Sequence, residues 1–394
     1  MPRILNVLYE ERFGGPQSRV LQVATRLQAK GFETLVVIPK GDPTFASRLK
    51  AVQIPFHEFD LVRLRDSRNP AVHARFIARF WPNVMTLRRL IRDYKIELVH
   101  TNGLIHLQAP IAAGLEGVPL VWHLNDVNTP RLLRLLLLPL VRRWADQIVV
   151  AAQAVGYYYF PNNASSVRKR LHVLYAPVDT EKFRTGVDGT SVRATLGIDD
   201  DSPIVGTVKN LSPGAGVEFL IDAASDIKRH FPKAKFLIVG EKLRNRQAYW
   251  SSLMRRTEEL GLANDVIFVG RRDDIPEVMR AMTVYVHPSE AEACPMAVLE
   301  ASASGLPVIA TDVGGTRELV EDGVTGILVE PRSPAQIADA VVHLLESPET
   351  AQAMGMRGVQ RMRELFSLDA CVREHIRVYT AALQQASASR RFDS

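Results

Sequence analysis

Apolar residues in this chain gather in short dense runs, separated by longer stretches in which they recur every three or four positions. The runs at 4–9, 34–39, 98–101, 120–123, 147–150 and 171–174 are too short for helices and predict buried strands. Between them, 17–30 has helical spacing and stops at Gly31, and 42–95 holds two helical patterns. The alternation resumes at 204–208 and continues through 236–240, 266–270, 284–287 and 307–311. Helices are expected over 247–260, 276–282, 333–346, 348–363 and 368–385. Strands that alternate with helices make a parallel sheet, so the class is α/β. A length of 394 residues exceeds one ordinary core and calls for two domains. The predicted division is 1–175, a Gly/Asp/Thr-rich linker at 176–191, a second domain at 192–367, and a last segment at 368–394. The small, polar and basic tail from Ala386 is expected to be mobile.

One stretch, 286–329, carries most of the chemistry. Pro288 and Ser289 end a strand, and a helix begins near Pro295 with Met296, Leu299 and Ala303 at helical spacing. Gly305 stops it, a second strand follows, and Gly314-Gly315 leads into another helix. Glu292 therefore lies in a loop and Glu300 inside the helix after it. A carboxylate accepts hydrogen bonds in two directions, which suits the vicinal hydroxyls of a sugar or ribose. Between the two acids, Ala293 to Met296 occupy a helix start, whose unpaired N–H groups attract phosphate. Hydroxyl-reading acids around an anion-reading helix start describe a pocket for a sugar nucleotide. The competing reading of Glu292 and Glu300 is an ordinary solvated helix face.

The E-x7-E pair with the following LEASASGLPVIATDVGGTRELVEDGVTGILVEP resembles the signature of family-four retaining glycosyltransferases, and the likeness extends over almost the entire chain. It implies the GT-B fold: two facing doubly wound Rossmann-like domains with an interdomain cleft, and a last helix that crosses back to the first domain. It implies transfer of a sugar from a nucleotide-diphosphate sugar to an acceptor hydroxyl, with no metal and no further cofactor. Retention in such enzymes is viewed as front-face attack, with the leaving phosphate taking the acceptor's proton. By the same resemblance Glu292 and His123 form the catalytic pair at the sugar, and Glu300 binds ribose. Backbone at Cys294, Pro295, Met296 and Ala297 meets sugar and phosphate, Gly15 and Lys209 attend the diphosphate, and backbone at Arg271 borders the base. The chain departs from the pattern after its 204–208 strand, where Asn210 and Ala215 stand in place of an arginine and a lysine on the diphosphate. Lys209 remains nearby, and Lys242, Arg244, Arg246, Arg271 or backbone at Gly214 and Gly216 could compensate. The loss keeps a second reading open: a sugar-nucleotide-binding partner or scaffold with little turnover.

Composition narrows the setting. The chain is 46% hydrophobic and 23% charged, as globular proteins are, and its two cysteines fit a reducing compartment. The first residues lack a signal-peptide pattern and no apolar run approaches a span, so a cytoplasmic location is expected. Charge is uneven: residues 1–185 carry 26 Lys/Arg against 14 Asp/Glu, while the remainder carries 23 against 29. A basic first half expects an anionic partner. No nucleic-acid motif is present, which leaves a membrane surface or an anionic glycan, lipid-linked or small-molecule acceptor. Arg63, Arg65, Arg68, Arg75, Arg79, Arg88, Arg89 and Arg92, interleaved with Phe76, Phe80 and Trp81, suit such a surface. So does 131–144, a leucine-rich stretch flanked by arginines, which reads either as a helix packed on the sheet or as an interfacial helix. Tyr157, Tyr158, Tyr159 and Phe160 are expected in the core. The pair Gly14-Gly15 does not make G-x-G-x-x-G, which disfavours a nicotinamide enzyme.

Overall fold

The computed structural model describes residues 1–10, 13–41, 43–64, 69–161, 165–242 and 246–392, without the side chains of 165–166 and 387–392. Arg65, Arg68, Arg244 and the last two tail residues lie outside this set. The chain divides into two compact units, Met1–Ala176 with Leu368–Ser394, and Pro177–Ser367.

The first unit is built on a seven-stranded sheet of β1 (Arg3–Val7), β2 (Glu33–Pro39), β3 (Phe56–Phe59), β4 (Leu98–Asn102), β5 (Leu120–Leu124), β6 (Gln147–Val150) and β7 (Leu171–Val173), in the order β3-β2-β1-β4-β5-β6-β7. Every pairing is parallel. Every residue of β4, β5 and β6 is buried, which is why these strands show no alternation of apolar and polar positions. The helix Leu368–Phe392 closes one face. Its Leu368, Cys371, Val372, Val378, Tyr379 and Ala382 pack with Ile4, Val23, Leu27, Leu98, Val121 and Val149. Side chains of that size each contribute about 1.5–3 kcal/mol on burial. The helix runs past the expected stop at Gln385, through the start of the tail. Of the aromatic run, Tyr159 and Phe160 are buried, whereas Tyr157 is exposed, because the helix Gln153–Tyr159 turns it outward.

The second unit repeats the plan with six parallel strands: β8 (Ile204–Val208), β9 (Lys235–Val239), β10 (Val266–Gly270), β11 (Val284–His287), β12 (Val308–Thr311) and β13 (Gly326–Val329), ordered β10-β9-β8-β11-β12-β13. The residues expected to form a linker are packed on this unit. Val178 bridges to Ser367, the Thr185 methyl lies against Gly305, and Gly189 touches backbone at Arg280 and Ala281. A helix, Thr190–Leu196, begins within the stretch. Chain order reverses between β1 and β4 in one sheet and between β8 and β11 in the other. In open parallel sheets, ligands bind beyond the carboxyl ends of the strands at such points.

Candidate functional site

In the second unit the residues that leave β8 and β11 converge. Lys209 directly follows β8, and the loop 288–295 directly follows β11. Glycines bring the backbones together. A Cβ on Gly240 would lie 1.6 Å from the Lys209 carbonyl, and one on Gly314 would lie 1.8 Å from the Glu292 carbonyl. Both glycines have positive φ, so a side chain there would also strain the backbone. Gly315 N–H then donates to that Glu292 carbonyl at 3.2 Å, which fixes the acid's loop.

Three donors meet on one carboxylate oxygen. Glu292 Oε1 accepts from Lys209 Nζ at 2.8 Å, from His287 Nε2 at 2.9 Å and from Ser289 Oγ at 2.7 Å. Lys209 also donates to Ser289 Oγ. His287 Nδ1 lies 3.2 Å from the Tyr285 hydroxyl, and Thr311 Oγ1 donates to the Ser289 carbonyl at 2.5 Å. Burial and the Lys209 charge favour a neutral His287. A proton on Nε2 serves Glu292 and leaves Nδ1 to accept from Tyr285. Burial alone would raise the Glu292 carboxyl, but the His287 hydrogen bond and the Lys209 charge outweigh it and hold the group well below the usual carboxylate range. Oε2 has no partner among the described residues.

Glu300 has the opposite surroundings. In the helix Met296–Ala303, Val298, Leu299, Ala301, Ser302 and Ala303 face the core. Met296, Ala297 and Glu300 share the remaining face, as i, i+3 and i+4 spacing dictates. No hydrogen bond or ion pair reaches the Glu300 carboxyl among the described residues. Burial therefore pushes it up to about 7, only partly offset by the charge of Lys182. No side chain caps the start of this helix at Pro295, so its first N–H groups are left for water or a ligand. Glu292, Cys294, Pro295, Met296, Ala297 and Glu300 are thus in one loop-and-helix unit, with Lys209 tied into it.

Other expected residues are placed differently. Lys209 is bound to Glu292 rather than standing free for a diphosphate. Asn210 is exposed, while Ala215 is buried in the unit's hydrophobic core. Arg271 is exposed, 4.0 Å from Asp273, and Lys242 lies 4.9 Å from the centre of the Trp250 ring. Gly15 is exposed at the start of the helix Gly15–Ala29 in the first unit. His123, at the end of β5, is fully buried, so a sugar contact by its side chain would require Arg19 to move. Arg19 Nη1 donates to His123 Nε2 at 2.9 Å, and His123 Nδ1 lies 3.2 Å from His100 Nε2. His100 Nδ1 lies 2.7 Å from the Tyr379 hydroxyl. Because arginine can only donate, both rings carry their proton on Nδ1. Burial, reinforced by the positive charge around Arg19, holds both histidines neutral. Sequence reasoning missed His287, Ser289 and Arg19. An arginine among Val20, Val23, Ala24 and Leu27 on the buried helix face was the available signal for Arg19. Among the described residues no group of three or more His, Cys, Asp or Glu is arranged to hold a metal ion.

The chain superposes on Anabaena Alr3699/HepE, solved in complex with UDP and glucose, with a TM-score of 0.84 over 97% of this chain and 100% of that one, at 24% identity. On sucrose-phosphate synthase from Thermosynechococcus elongatus the TM-score is 0.79 over 99% and 100%, at 22% identity. The fold is therefore that of the GT-B glycosyltransferases. Residues 13–182 match the family described as Glycosyltransferase Family 4, and residues 189–361 match Glycosyl transferases group 1. Among curated relatives, the lipopolysaccharide core biosynthesis mannosyltransferase LpsB of Rhizobium meliloti is 27% identical over 62% of this chain and 68% of that protein. The D-inositol 3-phosphate glycosyltransferase of Segniliparus rotundus is 32% identical over 61% of this chain, and that of Frankia alni 32% identical over 56%. The match spans 53% and 55% of those two proteins.

Proposed function

We propose that this protein is a retaining glycosyltransferase that moves a sugar from a nucleotide-diphosphate sugar to an acceptor hydroxyl in surface-polysaccharide or lipid-linked glycan synthesis. The observation that carries the reading is the Glu300 carboxyl: half-buried, without a partner among the described residues, and eight positions beyond an acid pinned by three donors. A ribose diol supplies the two donors that Glu300 lacks. Glu292 presents Oε2 to the sugar hydroxyls. Held strongly ionised, it is a poor proton acceptor, so it orients the sugar rather than acting as a general base. The acceptor oxygen attacks the anomeric carbon from the face the phosphate leaves, and the leaving phosphate oxygen takes the acceptor's proton. The positive support for the leaving diphosphate is the uncapped helix start at Met296 and Ala297, with the Lys209 charge held beside it on Glu292, and the reaction takes no cofactor beyond the donor. The setting that suits a lipid-linked acceptor is the cytoplasmic face of a membrane.

The test is calorimetric titration with UDP, GDP, ADP and their sugar conjugates, beginning with UDP because HepE was solved with it. Micromolar binding of one nucleotide, lost in Glu300→Gln, supports the reading. No binding of any nucleotide, or binding indifferent to the substitution, overturns it. The exposed Asn210 keeps the scaffold reading specific. A binder with little turnover would hold donor but transfer no sugar to any acceptor, with or without Asn210→Arg.

A further inference from the structure

The helix Arg131–Trp144 is amphipathic the wrong way round for a helix packed on a sheet. Only Val141 is fully buried, while Leu132, Leu135 and Leu136 are 68%, 64% and 61% exposed. These three follow i, i+3, i+4 spacing and so form one ridge pointing away from the protein. Arg131 stands at one end of the ridge and Arg142 and Arg143 at the other, and the helix contains no acid. A second helix of the same unit, Pro70–Asp93, repeats the pattern. Ile77, Trp81 and Met85 are exposed four residues apart, and Arg89 continues their line. Arg75 pairs with Asp60, and Arg88 and Arg92 with Glu116, but Arg89, Arg131, Arg142 and Arg143 have no ion pair among the described residues.

Topology places both helices on one side. One connects β3 to β4 and the other β5 to β6, so both crossings run the same way along the sheet. Right-handed crossovers then put them on the same face. The helices Gly15–Ala29 and Leu368–Phe392 pack together on the opposite face.

We infer that this face of the first unit docks on an anionic lipid bilayer. Two separate apolar ridges, each accompanied by unpaired arginines and facing one way, match a surface that is broad, apolar below and negative above. The leucines and Ile77, Trp81 and Met85 enter the headgroup–acyl boundary, while the arginines meet lipid phosphates. The helix of 14 residues is too short to cross and lies in the interface. The inference deepens the proposed transfer to a lipid-linked acceptor, which gives it a purpose, but its evidence is independent of the donor site.

The full chain is sedimented with vesicles of phosphatidylcholine alone and of phosphatidylcholine mixed with phosphatidylglycerol. Two variants are compared with wild type: Leu135→Ser with Leu136→Ser, and Arg131→Glu with Arg143→Glu. All four positions are exposed, and thermal melts check that folding is intact. Binding is expected with the anionic vesicles only, falling roughly fivefold or more per arginine lost and more than tenfold in the leucine variant. Salt should weaken wild-type binding. Absence of binding to anionic vesicles, or binding indifferent to both variants, overturns the inference. So does self-association abolished by the leucine variant, which would assign the ridge to a second copy of the chain. Nucleotide binding measured in parallel should be unchanged in both variants, so failure here is distinguishable from failure of the donor-site reading.

Discussion

Replacing Glu300 by glutamine removes a charge that the fold half-buries with no partner among the described residues, so it should strengthen the protein while disabling the proposed site. The carboxyl is raised from 4.5 to about 7 in the folded chain. Between those values the folded state holds a proton that the unfolded state has released. Stability therefore falls as pH rises from 4.5 to 7 and is level above. At 1.36 kcal/mol per pH unit, ionisation of Glu300 costs about 3 kcal/mol at pH 8 and under about 1 kcal/mol at pH 5. Screening at the residue's exposed edge makes this a ceiling. Glu300→Gln should accordingly melt up to about 8 °C higher than wild type at pH 8, with the gap closing by pH 5. Nucleotide binding should move the other way. Wild-type affinity should weaken about tenfold per unit as pH falls below 7, because the protonated acid cannot accept from both hydroxyls, and the variant should show little of this dependence. Scanning fluorimetry over pH 5–8, paired with calorimetry, reads both effects. A variant with wild-type stability at every pH would mean that the carboxyl is not an unpartnered, desolvated charge, and Glu300 would lose its place in the site.

Lys209→Met should remove the cation bonded to Glu292 and cost about 1.5–3 kcal/mol in a urea melt at pH 7. Glu292 is depressed, so its contribution is present above 4.5 and drains as the medium is acidified below that value; in the variant the drain should be smaller. Gly314→Ala should cost at least about 2 kcal/mol, since it adds a clash with the Glu292 carbonyl to a φ of +50°; an unchanged melt would show that the loop shifts freely. Asn210→Arg, at an exposed position, should leave the melt unchanged and tighten donor binding, whereas Ala215→Lys should lose about 1–3 kcal/mol by overfilling the core.

Much of the fold is legible in the sequence because parallel strands buried on both faces leave dense apolar runs, as at Ile204–Val208 and Val308–Thr311. Strand β3 has no such run: Phe56–Phe59 sits at the sheet edge with nothing fully buried, so burial leaves no pattern. The pattern reading also names no helix over Val217–His230, because the glycines ahead of it read as loop. Glu292 and Glu300 stand out by their spacing around a helix start. Their contrasting charge states do not, because that of Glu300 is set by burial and that of Glu292 by His287 and by Lys209, eighty-three positions away in sequence but adjacent across the β8–β11 switch point. The orientation of His123 is equally hidden, since burial at a strand end depends on Arg19 from another element.

The final helix has a consequence for how the protein is made. The second unit is continuous in sequence, 177–367, so all its strands and helices are available before the helix Leu368–Phe392 has been synthesised. The first unit begins earlier but finishes later: until that helix arrives, one face of its sheet, with Ile4, Leu98, Val121 and Val149, is covered only in part, by the helix Gly15–Ala29. Synthesis therefore puts the older half of the chain in the position of waiting for its own end. During that interval its apolar face is the natural target for chaperones, and for aggregation when they are scarce.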